Sequence, residues 1–245
     1  MDWSRAKTIL IVSFFFLNVL LGYQLWAVRF DQSTSAADKK SLIEETNKLL
    51  ESKNIRVLTK VPEETPLMKQ LTVKLDEKSR NPAVVALTTP LRVSGMPGKS
   101  GFRDLLAKAK VPHAALYSAD PAISTEIVYM LHQNEQNVPL FDATLQLFVS
   151  GGEISGYKQT YVEVQSGGEQ KEQKVISAYT AIRALAEKIP DGSIITDIKL
   201  GYHGQQYDSE TQVLLPYWRV LLAEGNPIYI KAYNGEIEGL QSQVK

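Results

Sequence analysis

The chain has 245 residues, of which 44% are hydrophobic and 22% charged, so it holds ample apolar material for a folded core. Lys and Arg total 27 and Asp and Glu also total 27, which leaves no net basic field of the kind that nucleic-acid binding requires. The absence of cysteine excludes disulfides, thiol catalysis and cysteine-ligated zinc.

An uncharged segment, residues 8–28, reads TILIVSFFFLNVLLGYQLWAV and follows Arg5 and Lys7. As a helix that rises about 1.5 Å per residue it is about 30 Å long, the thickness of a bilayer hydrocarbon core. The basic residues in front of it favour a cytoplasmic N-terminus. We therefore predict a cytoplasmic tail at 1–7, one transmembrane helix at 8–28, and an extracytoplasmic remainder.

Aromatic, basic and polar residues mark particular positions along this segment. Aromatic rings and basic groups favour the headgroup zone, which predicts these membrane-interface anchors: Trp3, Arg5, Lys7, Tyr23 and Trp26. Inside the span, an amide is stabilised by a hydrogen bond to a neighbouring helix, by about 1 kcal/mol. The candidate partner-binding positions are Ser13, Asn18 and Gly22. The alternative is that Asn18 faces lipid or bonds to its own backbone.

Two other interpretations of residues 8–28 remain open. A cleaved signal peptide would have small residues before its cleavage site, but the bulky sequence YQLW occupies residues 23–26, and small residues first cluster at 33–37. A buried core helix is the third interpretation, because every face of the segment is apolar.

The remainder of the chain divides into a tether and two predicted α+β subdomains. Residues 29–40 form the predicted tether, because 31–40 are polar and small. The first subdomain, 41–138, has a helix that begins near Asp38 or Ser41 and ends near Asn54. Its other predicted elements are strands at 55–58 and 71–75, a loop at 92–101 and a short helix at 102–109.

The second subdomain, 139–245, has a clearer pattern. Alternating residues predict strands at 143–149, 154–165, 194–203, 211–223, 227–233 and 236–240, and helical spacing predicts one helix at 175–189. Gly151-Gly152 and Asn234-Gly235 are hairpin signals. The order β-β-α-β-β-β-β indicates a mostly antiparallel sheet with a covering helix.

No catalytic residue, cofactor site or metal site can be assigned. His113, His132 and His203 are isolated and lack metal-ligand spacing, and Asp142 is a single carboxylate without a partner. The glycines of loop 92–101 suggest anion capture only superficially, because the loop does not clearly join a strand to a phosphate-facing helix.

Aromatic residues are frequent on the predicted strands of the second subdomain. Most are expected in the core or in cross-strand pairs, and a protein-binding face is the alternative. The residues are Tyr157, Tyr161, Tyr202, Tyr217, Trp218, Tyr229 and Tyr233.

Three segments carry a resemblance to a known family: MDWSRAKTILIVSFFFLNVLLGYQLW, PLFDATLQLFVSGGEISGYKQTYVEV and LLPYWRVLLAEGNPIYIKAYNGEIEG. They resemble the YycI (WalI) family, membrane-anchored proteins of the WalK–WalR (YycG–YycF) two-component system in low-GC Gram-positive bacteria. The last segment is also similar to PepSY-type modules, in which a Trp-bearing strand pairs through a turn with one that ends near N-G-E.

The resemblance implies a regulatory protein without enzymatic activity. Its partners would be the sensor histidine kinase WalK and a sister protein, YycH, and its effect would be on cell-wall metabolism. The family pattern has no catalytic residues to carry over. A peptidase-modulating module and a ligand sensor that uses the 92–101 loop remain alternatives.

Overall fold

The computed structural model describes residues 7, 10–21, 36–92, 106–107, 109–165, 171–204 and 209–238. The chain divides into two compact units, residues 1–47 and 48–245. In the first unit, helix α1 covers residues 10–21. The predicted tether lies partly outside the described residues, and its last part, from Ala36, is helical.

Helix α1 exposes every one of its side chains. Its large apolar residues have exposed fractions between 47% at Val12 and 71% at Leu10. In the part of the chain that the structure describes, no helix is both long enough and apolar enough to cross a membrane. The predicted span 8–28 extends past the described residues at both ends.

Helix α2, Ala36–Ser52, ends where the sequence predicts. Asn54 adopts the left-handed conformation with φ 53°, and the N–H of Ile55 donates to the carbonyl of Leu50 at 2.8 Å, which closes the helix. The predicted start was wrong: Asp38 and Ser41 lie inside the helix, because Ala36 and Ala37 are strong helix formers that extend it.

In the described residues, the second unit contains the strands, two further helices and a helical segment at 106–107. The strands are β1 Arg56–Val57, β2 Leu67–Met68, β3 Leu71–Leu75, β4 Val85–Arg92, β5 Tyr117–Ala119, β6 Val128–Glu135, β7 Val138–Ser150, β8 Glu153–Gln159, β9 Val162–Val164, β10 Gln173–Lys174, β11 Ile194–His203, β12 Thr211–Leu222, β13 Ile228–Lys231 and β14 Ile237–Glu238. The helices are α3 Glu77–Arg80 and α4 Ala178–Ala186, with a 3₁₀ turn at Ala114–Leu116.

Twelve of these strands form one sheet with the order β14-β13-β12-β11-β7-β6-β5. The first half of β12 also pairs with β3, which pairs with β9, and the second half of β7 pairs with β8, which pairs with β4. Among the described strands, only β1 with β11 and β11 with β7 are parallel. The fold is therefore α+β with a mostly antiparallel sheet, as predicted. The predicted subdomains meet at residue 138, and strands from both of them share this sheet. The division into two subdomains stays a prediction.

The two predicted hairpin turns have different outcomes. Gly151 and Gly152 have φ +61° and +78° and join β7 to β8, which confirms the first turn. The second connection is longer than two residues, because Lys231 donates its N–H to the carbonyl of Glu236 at 2.8 Å. Ala232 is buried and its N–H bonds to the carbonyl of Pro216, so the chain stays beside β12 before it turns.

Helix α4 covers one face of the sheet. The Ser177 hydroxyl accepts the N–H of Thr180 at 3.1 Å and caps the helix, which buries five residues in the main core. Trp218 of β12 lies in the same core and donates its indole N–H to the carbonyl of Ile176 at 3.0 Å. Side chains alternate along β12, so Tyr217 and Arg219 lie on the opposite face.

A second core lies on strands β5 to β8. Its largest buried members include Tyr117, Leu131, Leu145 and Ile154. The hydroxyl of Tyr117 donates to the carbonyl of Thr160 at 2.7 Å, which satisfies the one polar atom of that side chain.

Candidate functional site

The sheet face opposite α4 carries a group of charged side chains, here called the charged cluster: Asp120, His132, Asp197, Lys199 and Arg219. Alternation along β11 and β12 directs Asp197, Lys199 and Arg219 to this face, and the structure then brings them to His132 of β6 and to Asp120, which directly follows β5. The cluster is therefore formed by residues of β6, β11 and β12 and by the residue that follows β5.

Arg219 lies at the centre of the charged cluster. Its Nη1 lies 2.7 Å from Oδ2 of Asp120, and its Nη2 donates to Oδ2 of Asp197 at 2.9 Å. The side chains of Arg219 and Asp120 are 1% and 2% exposed, whereas Asp197 is 20% exposed. A guanidinium so far from water requires paired carboxylates, and Arg219 has two.

His132 completes the buried part of the cluster. Its Nε2 lies 3.4 Å from Oδ2 of Asp120 and 3.3 Å from Nη1 of Arg219. Three buried polar atoms of the described side chains have no hydrogen-bond partner: Asp120 Oδ2, His132 Nδ1 and Arg219 Nε. The 2.7 Å contact is therefore an ion pair without an aligned N–H donor.

The pairing keeps both main partners ionised. Burial raises the pKa of Asp120, but the nearby His132 ring N–H and the charge of Arg219 outweigh it and hold that pKa well below its usual range. Burial lowers the pKa of Arg219, but Asp120 and Asp197 raise it above its ordinary value. The charged cluster is thus a fixed, nearly neutral arrangement.

Next to the charged cluster lies an aromatic patch, formed by Phe141, His203, Tyr217 and Tyr229. The guanidinium carbon of Arg219 lies 4.9 Å from the centre of the Phe141 ring, a cation–π contact. The rings of His203 and Tyr229 stack at 3.9 Å with an interplanar angle of 11°, and His203 meets Tyr217 edge-on at 5.3 Å. The two groups are therefore continuous through Phe141.

Asp142 anchors this patch through its two carboxylate oxygens. Oδ1 lies 2.7 Å from Nδ1 of His203, and Oδ2 accepts the backbone N–H of Gly204 at 2.8 Å. The carboxylate fixes the orientation of the imidazole against Tyr229. The sequence presents Asp142 and His203 as unrelated residues, and the structure brings them together.

The tyrosines of the patch are kept protonated. Burial, and then the hydrogen bond to Glu238 at 2.7 Å, raise the pKa of Tyr217 far above its ordinary value. Burial, and then the charge of Asp142, raise the pKa of Tyr229 to about 12. Both hydroxyls are therefore neutral donors at physiological pH.

A cavity of about 390 Å³ lies where β3, β7, β8 and β12 diverge. Phe141 and Asp142 line it, so it adjoins the aromatic patch. Its buried lining includes Val73, Ala143 and Leu214. The volume falls within the range of small-molecule sites.

The residues that the sequence singled out have mixed positions. Ser13 and Asn18 lie on α1 with exposed side chains, and Lys7 is also exposed. The remaining predicted anchors and contacts lie outside the described residues: Trp3, Arg5, Gly22, Tyr23 and Trp26. Most of loop 92–101 also lies outside them. The roles of these residues stay predictions.

Two other expectations can be compared with the described residues. Tyr202, Tyr217 and Trp218 are buried, in agreement with a core role, whereas Tyr157, Tyr161, Tyr229 and Tyr233 are half-buried. Within the described ranges, no group of three or more His, Asp or Glu side chains is arranged to hold a metal ion.

A sequence model of the YycI protein family matches residues 33–233. A search of curated proteins finds no match. Among solved structures, an uncharacterized protein from Eubacterium rectale ATCC 33656 is similar at 12% identity and a TM-score of 0.37, over 85% of this chain and 83% of that chain. A likeness at that score supports no functional inference.

Proposed function

Because this chain belongs to the YycI family, we propose that it is a membrane-anchored regulator that binds the sensor histidine kinase WalK together with the sister protein YycH. Family membership makes it a regulatory protein and ties it to the WalK–WalR two-component system. The proposal adds the anchor, the contacts with both partners, and modulation of signalling that controls cell-wall metabolism.

The single observation that supports the anchor is the exposure of helix α1. All ten of its large apolar side chains are at least 47% exposed, and they lie on every face of the helix. Exposed apolar surface costs about 25 cal/mol per Å² in water, so a helix of this kind is stable only when something covers it. Lipid covers all faces alike, which favours a transmembrane helix at 8–28 with residues 1–7 in the cytoplasm.

A helix in the bilayer is also a means of contact with other transmembrane helices. Asn18 offers an amide donor and acceptor in a segment that is otherwise almost wholly apolar. If the chain binds the active and inactive states of the kinase with different free energies, its binding shifts the kinase towards the state that it binds more tightly. The chain needs no chemistry of its own for that role.

The localisation is tested by fractionation of cells that express the full chain with a C-terminal tag. We expect the intact polypeptide in the membrane fraction, with the tag accessible to protease only from outside. A polypeptide that is trimmed beyond Trp26 and released into the medium would overturn the anchor.

The partnership is tested by co-purification of the full chain from membranes, followed by detection of WalK and YycH. A matched variant replaces residues 8–28 with an unrelated transmembrane helix of equal length, which keeps the chain in the membrane. We expect the natural helix to recover more WalK than the replacement. Recovery of neither partner with the natural chain would contradict the proposal.

A second candidate function is modulation of an extracytoplasmic peptidase. It is favoured by the similarity of residues 214–239 to PepSY-type modules, with Trp218 on β12 and Asn234-Gly235 in the β13–β14 connection. Addition of the purified full chain to secreted peptidases would then change their rates. Unchanged rates across a panel of such enzymes would exclude this function.

A further inference from the structure

We propose that the cavity between β3, β7, β8 and β12 binds a small polar molecule that carries a carboxylate, with Lys158 as the cation that contacts it. The site is distinct from the contacts of the proposed regulatory function and does not depend on them. Three observations support this proposal: the polar side chains on one wall of the cavity, the buried residues on the other side, and the ion pairs of the charged residues around the cavity.

The wall of the cavity on β7 and β8 is polar by construction. Thr144 and Gln146 are two residues apart on β7, and Lys158 and Thr160 are two residues apart at the end of β8, so each pair lies on one face of the sheet. Gln146 is directly opposite Lys158 in the register, and the N–H of Thr160 donates to the carbonyl of Thr144 at 2.7 Å. The four side chains therefore form one contiguous polar surface.

The opposite side of the cavity is buried and mostly apolar, with Gln212 of β12 as a buried polar residue. Val73 of β3, Val162 of β9 and Leu214 of β12 are between 0% and 4% exposed, and Phe141 closes the floor at 4% exposed. Arg80 and Ser209 at the rim are exposed. A polar wall that faces a mostly apolar one, with an exposed rim, is the construction of a small-molecule site.

Among the described residues that line the cavity, Asp142 is the carboxylate and Lys158 is the cation without an ion-pair partner. Asp142 has both oxygens engaged, by His203 and by Gly204, and Arg80 is paired with Glu210 at 3.1 Å. In contrast, no carboxylate of the described residues lies within ion-pair distance of Lys158. An anionic group on the ligand would therefore meet an unopposed ammonium.

A carboxylate suits these groups. It accepts from the ammonium of Lys158, from the amide of Gln146 and from the threonine hydroxyls at its two oxygens. The C-terminus of a short peptide and the acid group of a sugar acid share this chemistry, and both fit a volume of about 390 Å³. The wall distinguishes an acid from its neutral analogue.

The experiment is isothermal titration calorimetry on the full chain in detergent micelles. The probes are N-acetyl-dialanine and glucuronate, each compared with a neutral analogue of about the same size, N-acetyl-dialanine amide and glucose. We expect at least one acid to bind, with its neutral analogue about tenfold weaker or worse. Which acid binds identifies the source of the carboxylate. Failure of both acids to bind, or equal binding of acid and analogue, would overturn the proposal.

Two matched variants locate the binding. Lys158→Met keeps the length of the side chain and removes its charge, and we expect about a tenfold loss of affinity. Lys188→Met removes an exposed lysine that does not line the cavity, and we expect no change. Circular dichroism shows whether each variant is folded. A folded Lys158→Met protein with undiminished affinity would place the acid elsewhere and overturn the site.

Discussion

Arg219 and Asp120 form an ion pair of 2.7 Å from which water is almost fully excluded, since their side chains are 1% and 2% exposed. Two charges in such a place attract each other strongly, but each has also lost its hydration. The net contribution of the pair to stability is therefore small. The cost of leaving either partner alone is large, and this asymmetry determines what substitutions do.

The first prediction concerns Arg219→Met, which keeps apolar volume against Phe141 but removes the buried counter-charge of Asp120 and Asp197 and leaves Asp120 only the more distant Lys199. We expect the free energy of unfolding to fall by about 3–5 kcal/mol. Urea unfolding of the full chain in detergent, followed by tryptophan fluorescence, measures the change.

Arg92→Met is the matched control for that substitution. Arg92 also lies 2.9 Å from a carboxylate, that of Glu153, but its side chain is 90% exposed. Its loss should cost about 0–1 kcal/mol, because water solvates the remaining carboxylate. Equal effects of the two substitutions would show that the burial of the charged cluster has no energetic consequence.

The second prediction concerns the pH dependence of stability through Asp120. Arg219, His132 and Lys199 face this carboxylate, and its pKa in the folded state is depressed. Its contribution is therefore present above the unfolded carboxyl value of about pH 4, and it is lost as the pH falls towards the folded pKa. The natural chain should exceed Asp120→Asn in free energy of unfolding at neutral pH, by a margin that narrows below about pH 4.

Urea unfolding at a series of pH values measures that margin. Asp191→Asn serves as the control, because Asp191 is 73% exposed in its pair with Lys53. The difference in free energy of unfolding between the natural chain and Asp191→Asn should be small at every pH. A margin for Asp120→Asn that does not change with pH would contradict the depressed pKa.

The third prediction concerns Gly201, which lies against the Phe141 ring. A Cβ at this position would lie 2.5 Å from two atoms of that ring and 2.7 Å from the carbonyl oxygen of Pro139. Gly201→Ala should lower the free energy of unfolding by about 1–3 kcal/mol, because the ring must move within a packed core. Chemical denaturation measures this loss.

A double variant tests the cause of that loss. Adding Phe141→Leu removes the ring atoms in closest contact, so the two substitutions together should cost less than the sum of their separate effects. Some cost should remain, since the Pro139 carbonyl is unchanged. Strict additivity would show that the ring is not the source of the strain.

The fourth prediction concerns Asn18 on helix α1. Asn18→Leu should lower the interaction signal with WalK or YycH in a membrane two-hybrid assay. The substitution removes an amide hydrogen bond between helices that is worth about 1 kcal/mol. Val19→Leu, at the adjacent position, changes only the shape of an apolar side chain and should leave the signal unchanged. An unchanged signal for Asn18→Leu would remove Asn18 from the contact.

Local patterns predicted much of the fold. The strand predicted at 194–203 matches β11, Ile194–His203, where apolar residues alternate from Ile198 to Tyr202. In contrast, no strand is predicted from the sequence at β4, which contains Pro90. Pro90 is tolerated there because β4 is paired only with β8 among the described strands, and because the register shifts between Ala86 and Leu91.

The candidate site was much less predictable. Asp142 and His203 are 61 residues apart, and they meet only because β7 and β11 are neighbours in the sheet. Asp120 follows a three-residue strand, β5, that has no clear periodicity. Alternation suggests that Gln146 and Lys158 are each on one face of a strand, but only the register of the hairpin places them side by side.

Strand β12 has a consequence for the order in which the molecule assembles. It pairs with β11 and β13, which are close in sequence, but also with β3, so that Leu71 meets Leu214. Contacts this far apart along the chain impose a high loop-closure cost before they give any stability, which slows folding. Until the ribosome has supplied β12, β3 and β11 each lack one of their neighbouring strands. The last quarter of the polypeptide thus determines when β3 can complete its pairing in the sheet.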